Sequence, residues 1–271
     1  MTLSFKYSYP FRERLFQCSV ISNQMLEGKN IIVTGAIQGI GRATVDYFAR
    51  NHANVWACAL QPTDEFEAHC AQLAQENGVW VKPVYFNLLD VEQIKAAVKE
   101  IMHDKQPVDG LVNIAGMTKD AIFHMVSMDD LHRVFEVNFF SQMLFTQSIT
   151  KLMLRNPNKS SVVFVSSISA IDGNVGQLSY ASSKAALIGA MKTLSKELAF
   201  KGIRVNAIAP GVIDTDMNKV VPQEVLDEKL NVSDLKRIGQ PDEVASTLAF
   251  LVSDLSTHIT GQVIRIDGGI K

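Results

Sequence analysis

A tyrosine and a lysine stand one helical turn apart, at Tyr180 and Lys184, near the start of a predicted helix. This spacing places both side chains on one helix face. A phenol has an ordinary pKa of about 10, so it exchanges a proton with a substrate oxygen near neutral pH only when a nearby cation stabilises the phenolate. Lys184 could supply that charge and bind a ribose as well. Taken alone, however, such a pair is more often part of a half-buried helix face.

Two further polar residues could complete a proton-transfer site. Ser167 follows a predicted strand, where its hydroxyl could hydrogen-bond a substrate oxygen, although serines at strand ends are commonly turn residues. Asn138 lies in an otherwise apolar helical stretch, where it is either a buried asparagine with satisfied hydrogen bonds or a member of a proton relay. With Tyr180 and Lys184, these residues predict a site for proton transfer to or from a substrate oxygen.

A glycine-rich turn, Thr-Gly-Ala-Ile-Gln-Gly-Ile-Gly at residues 34–41, lies between the first predicted strand and a helix that opens at Arg42. Glycines let the backbone approach a pyrophosphate, and a helix N-terminus offers unpaired N–H groups and the positive end of a dipole. A spaced glycine triplet alone could be an ordinary strand-to-helix turn. Its setting between strand and helix favours a dinucleotide site.

The end of the second predicted strand bears on which dinucleotide is used. NAD-binding chains usually place an acidic residue there, whereas this sequence reads Ala59-Leu60-Gln61. No carboxylate would repel a 2′-phosphate, yet no arginine stands beside Ala59, and the nearest basic residues are Arg42 and Lys29. The sequence therefore favours NADP(H) over NAD(H) modestly.

Short β-branched runs alternate with amphipathic segments from Lys29 onward, which is typical of βαβ units. The pattern predicts an α/β fold, a single doubly wound Rossmann-type domain with a seven-stranded parallel sheet and helices on both faces. Predicted strands cover 30–34, 54–60, 80–85, 110–114, 161–165, 204–208 and 263–267, and predicted helices cover 42–51, 65–77, 91–102, 131–154, 180–200 and 241–251. Ligands bind outside the carboxyl ends of such strands, where all of these polar residues fall.

Composition narrows the class of protein. The 271 residues are 47% hydrophobic and 20% charged, with a formal net charge of -2 and scattered basic residues, so a nucleic-acid partner is not expected. No apolar run approaches the roughly 20 residues that cross a bilayer. Cys18, Cys58 and Cys70 lack metal-ligand spacing, which indicates reduced thiols in a cytoplasmic enzyme without a metal.

The sequence is expected to divide into a short N-terminal extension and one domain. Residues 1–24 lack the apolar core and cleavage site of a signal peptide, and are expected to be an N-terminal extension that is disordered or not translated. Residues 25–271 are expected to form the single Rossmann-fold domain.

These motifs together resemble the short-chain dehydrogenase/reductase family over nearly the whole chain after Met25. The family's Asn-Asn-Ala-Gly element is present as residues 113–116, its Tyr-x-x-x-Lys as residues 180–184 and its Pro-Gly element as residues 210–211. The resemblance implies catalytic roles for Asn138, Ser167, Tyr180 and Lys184, and substrate contacts for Ser167, Gln177 and Tyr180. It implies cofactor contacts for Gly35, Gln38, Gly39, Ile40, Gly41, Asn87, Leu88, Asn113, Ala115, Gly116, Tyr180, Lys184, Pro210, Gly211, Ile213 and Thr215.

By that resemblance, Tyr180 is the general acid/base, Ser167 orients the substrate oxygen, Lys184 lowers the tyrosine pKa and binds ribose, and Asn138 anchors a water relay. Three positions depart from the family pattern. Ile114 replaces the second asparagine of Asn-Asn-Ala-Gly, which should remove a polar contact under the cofactor. Gln38 stands where NADP-dependent members often carry a basic residue, and Asn87 stands where many carry an aspartate.

Within the family, the chain is most similar to the 3-oxoacyl acyl-carrier-protein reductases, a likeness seen in residues 176–180, 210–217, 235–241 and 260–269. Sugar, polyol and steroid dehydrogenases share those elements, so a sugar or polyol substrate is the main alternative. A non-catalytic nucleotide sensor and a methyltransferase are less favoured, because neither uses all four catalytic positions. The resemblance also implies a homotetramer, and Lys236 and Arg237 could meet an acidic acyl carrier protein.

Overall fold

The computed structural model describes residues 24–215 and 230–270. Within them the strands are β1 (Asn30–Thr34), β2 (Asn54–Ala59), β3 (Val81–Tyr85), β4 (Gly110–Asn113), β5 (Ser160–Val165), β6 (Ile203–Pro210) and β7 (Val263–Ile266). They form one 7-stranded sheet in the order β3-β2-β1-β4-β5-β6-β7, and every pair is parallel. The strand order reverses between β1 and β4, which opens a crevice at their carboxyl ends.

The α-helices of the same residues are α1 (Gly39–Arg50), α2 (Asp64–Asn77), α3 (Val91–His103), α4 (Met128–Phe135), α5 (Ser141–Met153), α6 (Ser169–Asp172), α7 (Leu178–Leu198) and α8 (Pro241–Val252). Side chains cap several of them as their residue types predict: Thr63, Asp90 and Ser127 each accept a hydrogen bond from the first turn of α2, α3 and α4. None of the helices among the described residues is long and apolar enough to cross a membrane.

The sheet separates two apolar cores, because successive strand residues point to opposite faces. In β1, Ile31 and Val33 pack with Phe48 of α1 and Leu248 of α8 in one core. Ile32 packs in the other core, whose helical residues come from α3, α5 and α7. Both faces of the sheet are therefore covered, as a parallel sheet requires.

The predicted fold class is confirmed, and strand and helix ends agree with the predictions to within a few residues. The single helix predicted over 131–154 is wrong in one respect: α4 and α5 are separated by a π-helical turn, Glu136–Phe140. Periodicity does not reveal one extra residue in a turn. The short helix α6 is absent from the predictions, and the predicted extension, apart from Gln24, lies outside the described residues.

Gly41 allows α1 to pack against the end of β1, since a Cβ there would lie 1.9 Å from the Gly35 carbonyl oxygen. We expect Gly41→Ala to lower the free energy of unfolding by about 1–3 kcal/mol, the usual cost of overpacking. Gly189→Ala in α7 is the matched control, because its Cβ would meet nothing within 4 Å, and it should gain about 0.5–1 kcal/mol. Denaturant titration measures both, and equal stability of the two variants would contradict the close approach.

Candidate active site

The first turn of α1 presents backbone N–H groups to the crevice. Gly35 and Gly39 have φ of +71° and +54°, values that favour glycine. Gln38 precedes the helix with extended backbone, its side chain makes no capping hydrogen bond, and the first turn holds no acidic residue. Because no side chain neutralises this end of the helix, it suits a pyrophosphate group.

Thr34 ties the glycine turn to the loop that follows β4. Its hydroxyl oxygen accepts hydrogen bonds from the backbone N–H groups of Ile114 and Ala115, at 3.0 and 3.2 Å. A Cβ on Gly35 would lie 3.0 Å from the Ala115 Cα and nitrogen, so the two turns touch. The residues predicted to bind cofactor on β1 and β4 therefore border one crevice.

The predicted cofactor residues that follow β3 and β6 lie near the same edge of the sheet. Asn87 accepts a hydrogen bond from the Leu89 amide at 2.9 Å through its side-chain oxygen, and the Leu88 carbonyl accepts one from Ser141. The Thr215 methyl carbon lies 3.3 Å from the position of a Cβ on Gly39. The structure thus brings the segment after β6 against the glycine turn.

The segment after β6 is itself held by backbone contacts to its neighbours. The Gly211 amide donates to the Ile266 carbonyl at 2.9 Å, the Pro210 carbonyl accepts from the Ile168 amide at 3.1 Å, and Ile213 pairs with Gly239 in an isolated bridge. Asn113 differs from these residues, because its side chain is fully buried and donates to Thr146 of α5 at 3.0 Å. Its direct contact with cofactor stays a prediction.

Asn138 lies in the π-helical turn, which directs its fully buried side chain toward α7. The amide nitrogen donates to the Met117 carbonyl at 2.9 Å and to the Ser183 hydroxyl at 3.0 Å, and the amide oxygen accepts from the Met117 N–H at 2.8 Å. π-Turns occur frequently at functional sites. Here the turn lets one asparagine connect the loop after β4 to α7.

Lys184 is almost fully buried in α7, and its ammonium donates to the Val165 carbonyl at the end of β5, at 2.8 Å. Burial lowers the pKa of this lysine to about 8, because the charged form loses its hydration. A Cβ on Gly116 would lie 3.2 Å from the lysine nitrogen and 3.1 Å from the Asn138 amide oxygen. A residue without a side chain at position 116 leaves that space open.

Ser167 and Tyr180 form a hydrogen-bonded pair of hydroxyls beside the lysine. The Ser167 oxygen accepts from the Ser169 N–H at 3.2 Å, and the Ser167 side chain hydrogen-bonds Tyr180. Burial raises the pKa of Tyr180 above its ordinary value, the hydrogen bond from Ser167 acts in the opposite direction, and the negative charge of Asp120 raises the pKa further.

The predicted lowering of the Tyr180 pKa by Lys184 stays a prediction, and the net direction here is upward because burial is the largest influence. The ammonium lies 5.8 Å from the centre of the Tyr180 ring, but loss of hydration dominates and favours the neutral phenol. The phenol is protonated at neutral pH, which is the state that an acid needs.

Gln177, predicted to contact substrate, uses its side-chain amide on protein partners. The oxygen accepts from Ser169 Oγ at 3.0 Å and from Asn174 Nδ2 at 2.8 Å, and the nitrogen donates to Asp120 Oδ2 at 3.1 Å. Asp120 and Ser169 are absent from the predicted site. Nothing in their sequence neighbourhood sets them apart from solvated polar residues.

These residues define a class of enzyme by their geometry. A glycine turn at the strand-order reversal fits a dinucleotide, and beside it stand a protonated phenol, a serine hydroxyl and a buried ammonium. Such a site can transfer a proton to or from a substrate oxygen while a bound nicotinamide supplies or accepts hydride. The class is a nicotinamide-dependent oxidoreductase.

Comparisons with known proteins agree with this class. The family model described as enoyl-(acyl carrier protein) reductase matches residues 35–271. The 3-oxoacyl-[acyl-carrier-protein] reductase FabG of Thermotoga maritima is 41% identical over 247 residues, 90% of this chain and 98% of that protein. The enzyme of the same name from Aquifex aeolicus is 38% identical over 245 residues, 90% of this chain and 98% of its own length.

Two solved structures share the fold. A 3-oxoacyl-[acyl-carrier protein] reductase from Brucella melitensis gives a TM-score of 0.85 at 28% identity, and covers 99% of this chain and 98% of its own. A Beutenbergia cavernae protein, described as an NAD(P)-dependent gluconate 5-dehydrogenase with bound NADP, gives 0.85 at 30% identity, with 91% and 98% covered. The chain belongs to the short-chain dehydrogenase/reductase family and is an NAD(P)-dependent oxidoreductase.

The buried lysine predicts a pH dependence. Lys184, with its pKa of about 8, is charged below that pH and neutral above it, whereas Tyr180, with its raised pKa, keeps its proton through neutral pH. Carbonyl reduction that uses the charge of Lys184 should therefore proceed steadily below pH 8 and fall as the pH rises through about 8. The pH profile of kcat/KM for cofactor oxidation measures this.

Lys184→Arg keeps its charge throughout the range, so the fall near pH 8 should disappear from whatever activity remains. Lys192→Met removes an exposed lysine from the same helix and serves as the control with an unchanged profile. A fall at the same pH in Lys184→Arg would assign it to another group.

Proposed function

We propose that this chain reduces the 3-oxo group of an acyl thioester carried by an acyl carrier protein, with NADPH as the reductant. The observation that carries the proposal is the position of the Tyr180 phenol beside Ser167, with the Lys184 ammonium 5.8 Å from the centre of its ring. That arrangement suits protonation of a ketone oxygen. The names of the relatives at 41% and 38% identity support the choice of substrate.

The proposed roles follow from the hydrogen bonds. Ser167 receives the Ser169 N–H on its oxygen, so its own hydrogen is directed outward toward Tyr180 or a substrate oxygen. As the oxygen gains negative charge, Tyr180 transfers its proton to it. Lys184 then stabilises the resulting phenolate through its charge. Asn138 holds Met117 and Ser183, and so keeps the loop after β4 against the catalytic helix.

The cofactor residues divide into three groups by what they offer. The first turn of α1, from Gly39 to Gly41, would bind the pyrophosphate through backbone N–H groups. Asn87 and Leu88 would border the adenine, and the Lys184 ammonium would bind the nicotinamide ribose. A nicotinamide held by these residues would supply hydride to the substrate carbon.

Apolar side chains near the site favour an acyl thioester over a sugar. Val175 is 90% exposed and Leu178 is 39% exposed, five and two positions before Tyr180. Ile122 and Phe123, at 46% and 80% exposed, belong to the loop that pairs with Gln177. An acyl chain can cover such surface, whereas a polyol would leave it in contact with water. Gluconate remains the second candidate, because a structural neighbour carries that name.

The proposed partners are a carrier protein and further copies of the chain. Arg237 forms two hydrogen bonds with Glu243, at 2.8 and 2.5 Å, which leaves Lys236 as the freer charge for an acidic carrier. Exposed Met128 and Phe140 offer apolar surface for a homotetramer. Free thiols at Cys58 and Cys70 are consistent with a cytoplasmic location.

Tyr180→Phe tests the chemistry directly. Removal of the phenolic hydroxyl should lower kcat for acetoacetyl-thioester reduction by at least ~10²-fold, the lower range for a positioned acid. The dissociation constant for NADPH, followed by its fluorescence, should change little. Tyr85→Phe is the control, because its hydroxyl bonds Glu67 at 3.2 Å on the surface, and it should keep full turnover.

The substrate is tested in the same assay with the parent enzyme. Rapid NADPH-dependent reduction of the thioester, with slower turnover of 5-ketogluconate and simple ketones, is the expected result. Faster turnover of 5-ketogluconate would replace the acyl substrate with a sugar acid. Near-normal turnover by Tyr180→Phe would remove the proposed mechanism altogether.

The NADPH preference depends on the residue after β2, where Leu60 is 61% exposed. Leu60→Asp would place a carboxylate near the 2′-phosphate, so kcat/KM for NADPH should fall by at least about 10-fold, which corresponds to ~1.4 kcal/mol of repulsion. The value for NADH should hold or rise. Leu60→Asn is the uncharged control, and an equal fall with both cofactors would contradict selection at this position.

A further inference from the structure

Two loops beside Tyr180 meet along a short backbone contact. One loop follows β4 and includes Asp120 and Ala121, and the other precedes α7 and includes Gly176 and Gln177. The Ala121 N–H donates to the Gly176 carbonyl at 2.8 Å, and Ala121 pairs with Gln177 in an isolated parallel bridge. The position of each loop therefore depends on the other.

Side chains reinforce this contact. The Gln177 amide nitrogen donates to Asp120 Oδ2 at 3.1 Å, while its oxygen accepts from Ser169 and Asn174, at 3.0 and 2.8 Å. A carboxylate can only accept, so the amide group must turn its nitrogen toward Asp120. The second carboxylate oxygen accepts from the Thr118 hydroxyl. The orientation of Gln177 is thus fixed from both sides.

The same network continues to the catalytic hydroxyls. Ser169, whose hydroxyl donates to Gln177, also donates its backbone N–H to the Ser167 oxygen at 3.2 Å. Ser167 in turn hydrogen-bonds Tyr180. These hydrogen bonds, together with the backbone of Ser169, therefore connect the exposed Asp120 to Ser167.

We propose that Asp120 and Gln177 are positioning residues, which hold the two loops together and thereby fix the Ser167 hydroxyl against Tyr180. The inference rests on the proposed function, because it assigns a purpose to the alignment of those two hydroxyls. In this role Gln177 acts on the reaction through Ser169 and Ser167. Its predicted substrate contact stays a prediction.

Substitutions of Asp120 alone can break and restore the side-chain hydrogen bonds between the two loops. Asp120→Ala removes both acceptors, so the bonds to Gln177 and Thr118 are lost. Asp120→Asn keeps an oxygen that accepts from Gln177 and gains an N–H₂ that donates to the Thr118 hydroxyl. The pair therefore separates the hydrogen bonds from the rest of the side chain.

Amide hydrogen exchange, followed by NMR on the full chain, tests the bridge without any substrate. Exchange at the Ala121 and Ser169 N–H groups should be at least about 10-fold faster in Asp120→Ala than in the parent protein, because local opening becomes more frequent. Asp120→Asn should restore most of the protection. Equal exchange rates in the three proteins would show that Asp120 does not hold the two loops together.

The turnover number then tests whether the contact between the two loops affects the reaction. Asp120→Ala should lower kcat for thioester reduction by at least ~10-fold, since small displacements of aligned groups are costly, with the NADPH dissociation constant unchanged. Asp120→Asn should recover most of that loss. Asp120→Ala and Gln177→Ala together should cost less than the sum of the two single losses, because both remove the hydrogen bond between these residues.

The outcomes separate this inference from the proposed function. Faster exchange in Asp120→Ala without any loss of kcat would overturn the positioning role while leaving Tyr180 as the acid. Full turnover by Tyr180→Phe would overturn the proposed function. The exchange rates would still decide whether Asp120 holds the two loops together. Additive losses in the double variant would show that the two residues act separately, against the inference.

Discussion

The site depends on a lysine whose charge is buried. A lone ammonium inside a protein loses its hydration and needs an acceptor, and the Val165 carbonyl provides one at 2.8 Å. The backbone of the same residue is held as well, because Ser166 donates its hydroxyl to the Lys184 carbonyl at 2.9 Å. The end of β5 and the first turns of α7 are thereby joined twice at one residue. Ser167 follows β5 and Tyr180 lies one turn before Lys184, so this junction brings the two hydroxyls together.

Burial has opposite consequences for the two titrating groups of the site. It lowers the pKa of Lys184 to about 8 and raises the pKa of Tyr180, so each group is pushed toward its neutral form. Several neighbouring polar groups counter this cost through hydrogen bonds. Asn138, Ser183 and Met117 satisfy one another around the lysine. These hydrogen bonds hold the polar groups around the lysine in fixed positions, and such preorganised groups act more strongly when removed from water.

Much of this arrangement could be predicted from the sequence, because it follows from local rules. Alternating strands and amphipathic segments predicted the parallel sheet, and the glycine turn and the Tyr180 and Lys184 spacing predicted the crevice and its contents. What could not be predicted depends on contacts between distant segments. Asp120 and Gln177 are 57 positions apart, and no pattern in either segment announces their hydrogen bond. The direction in which the pKa of Tyr180 shifts likewise depends on burial. The spacing of charged residues in the sequence does not reveal that burial.

The π-helical turn at Glu136–Phe140 has a consequence for the whole stretch from α4 to α5. Such a turn accommodates one residue more than an α-helix does over the same rise, and each residue advances a helix by about 100°. The buried face of α5 is therefore rotated relative to an uninterrupted continuation of α4. Loss of one residue from the turn would return the stretch to regular register and rotate one helix against the other. The position of Asn138 in the site and the packing of α5 against the sheet thus depend on the same helical register. An insertion or deletion in the π-helical turn would therefore change both.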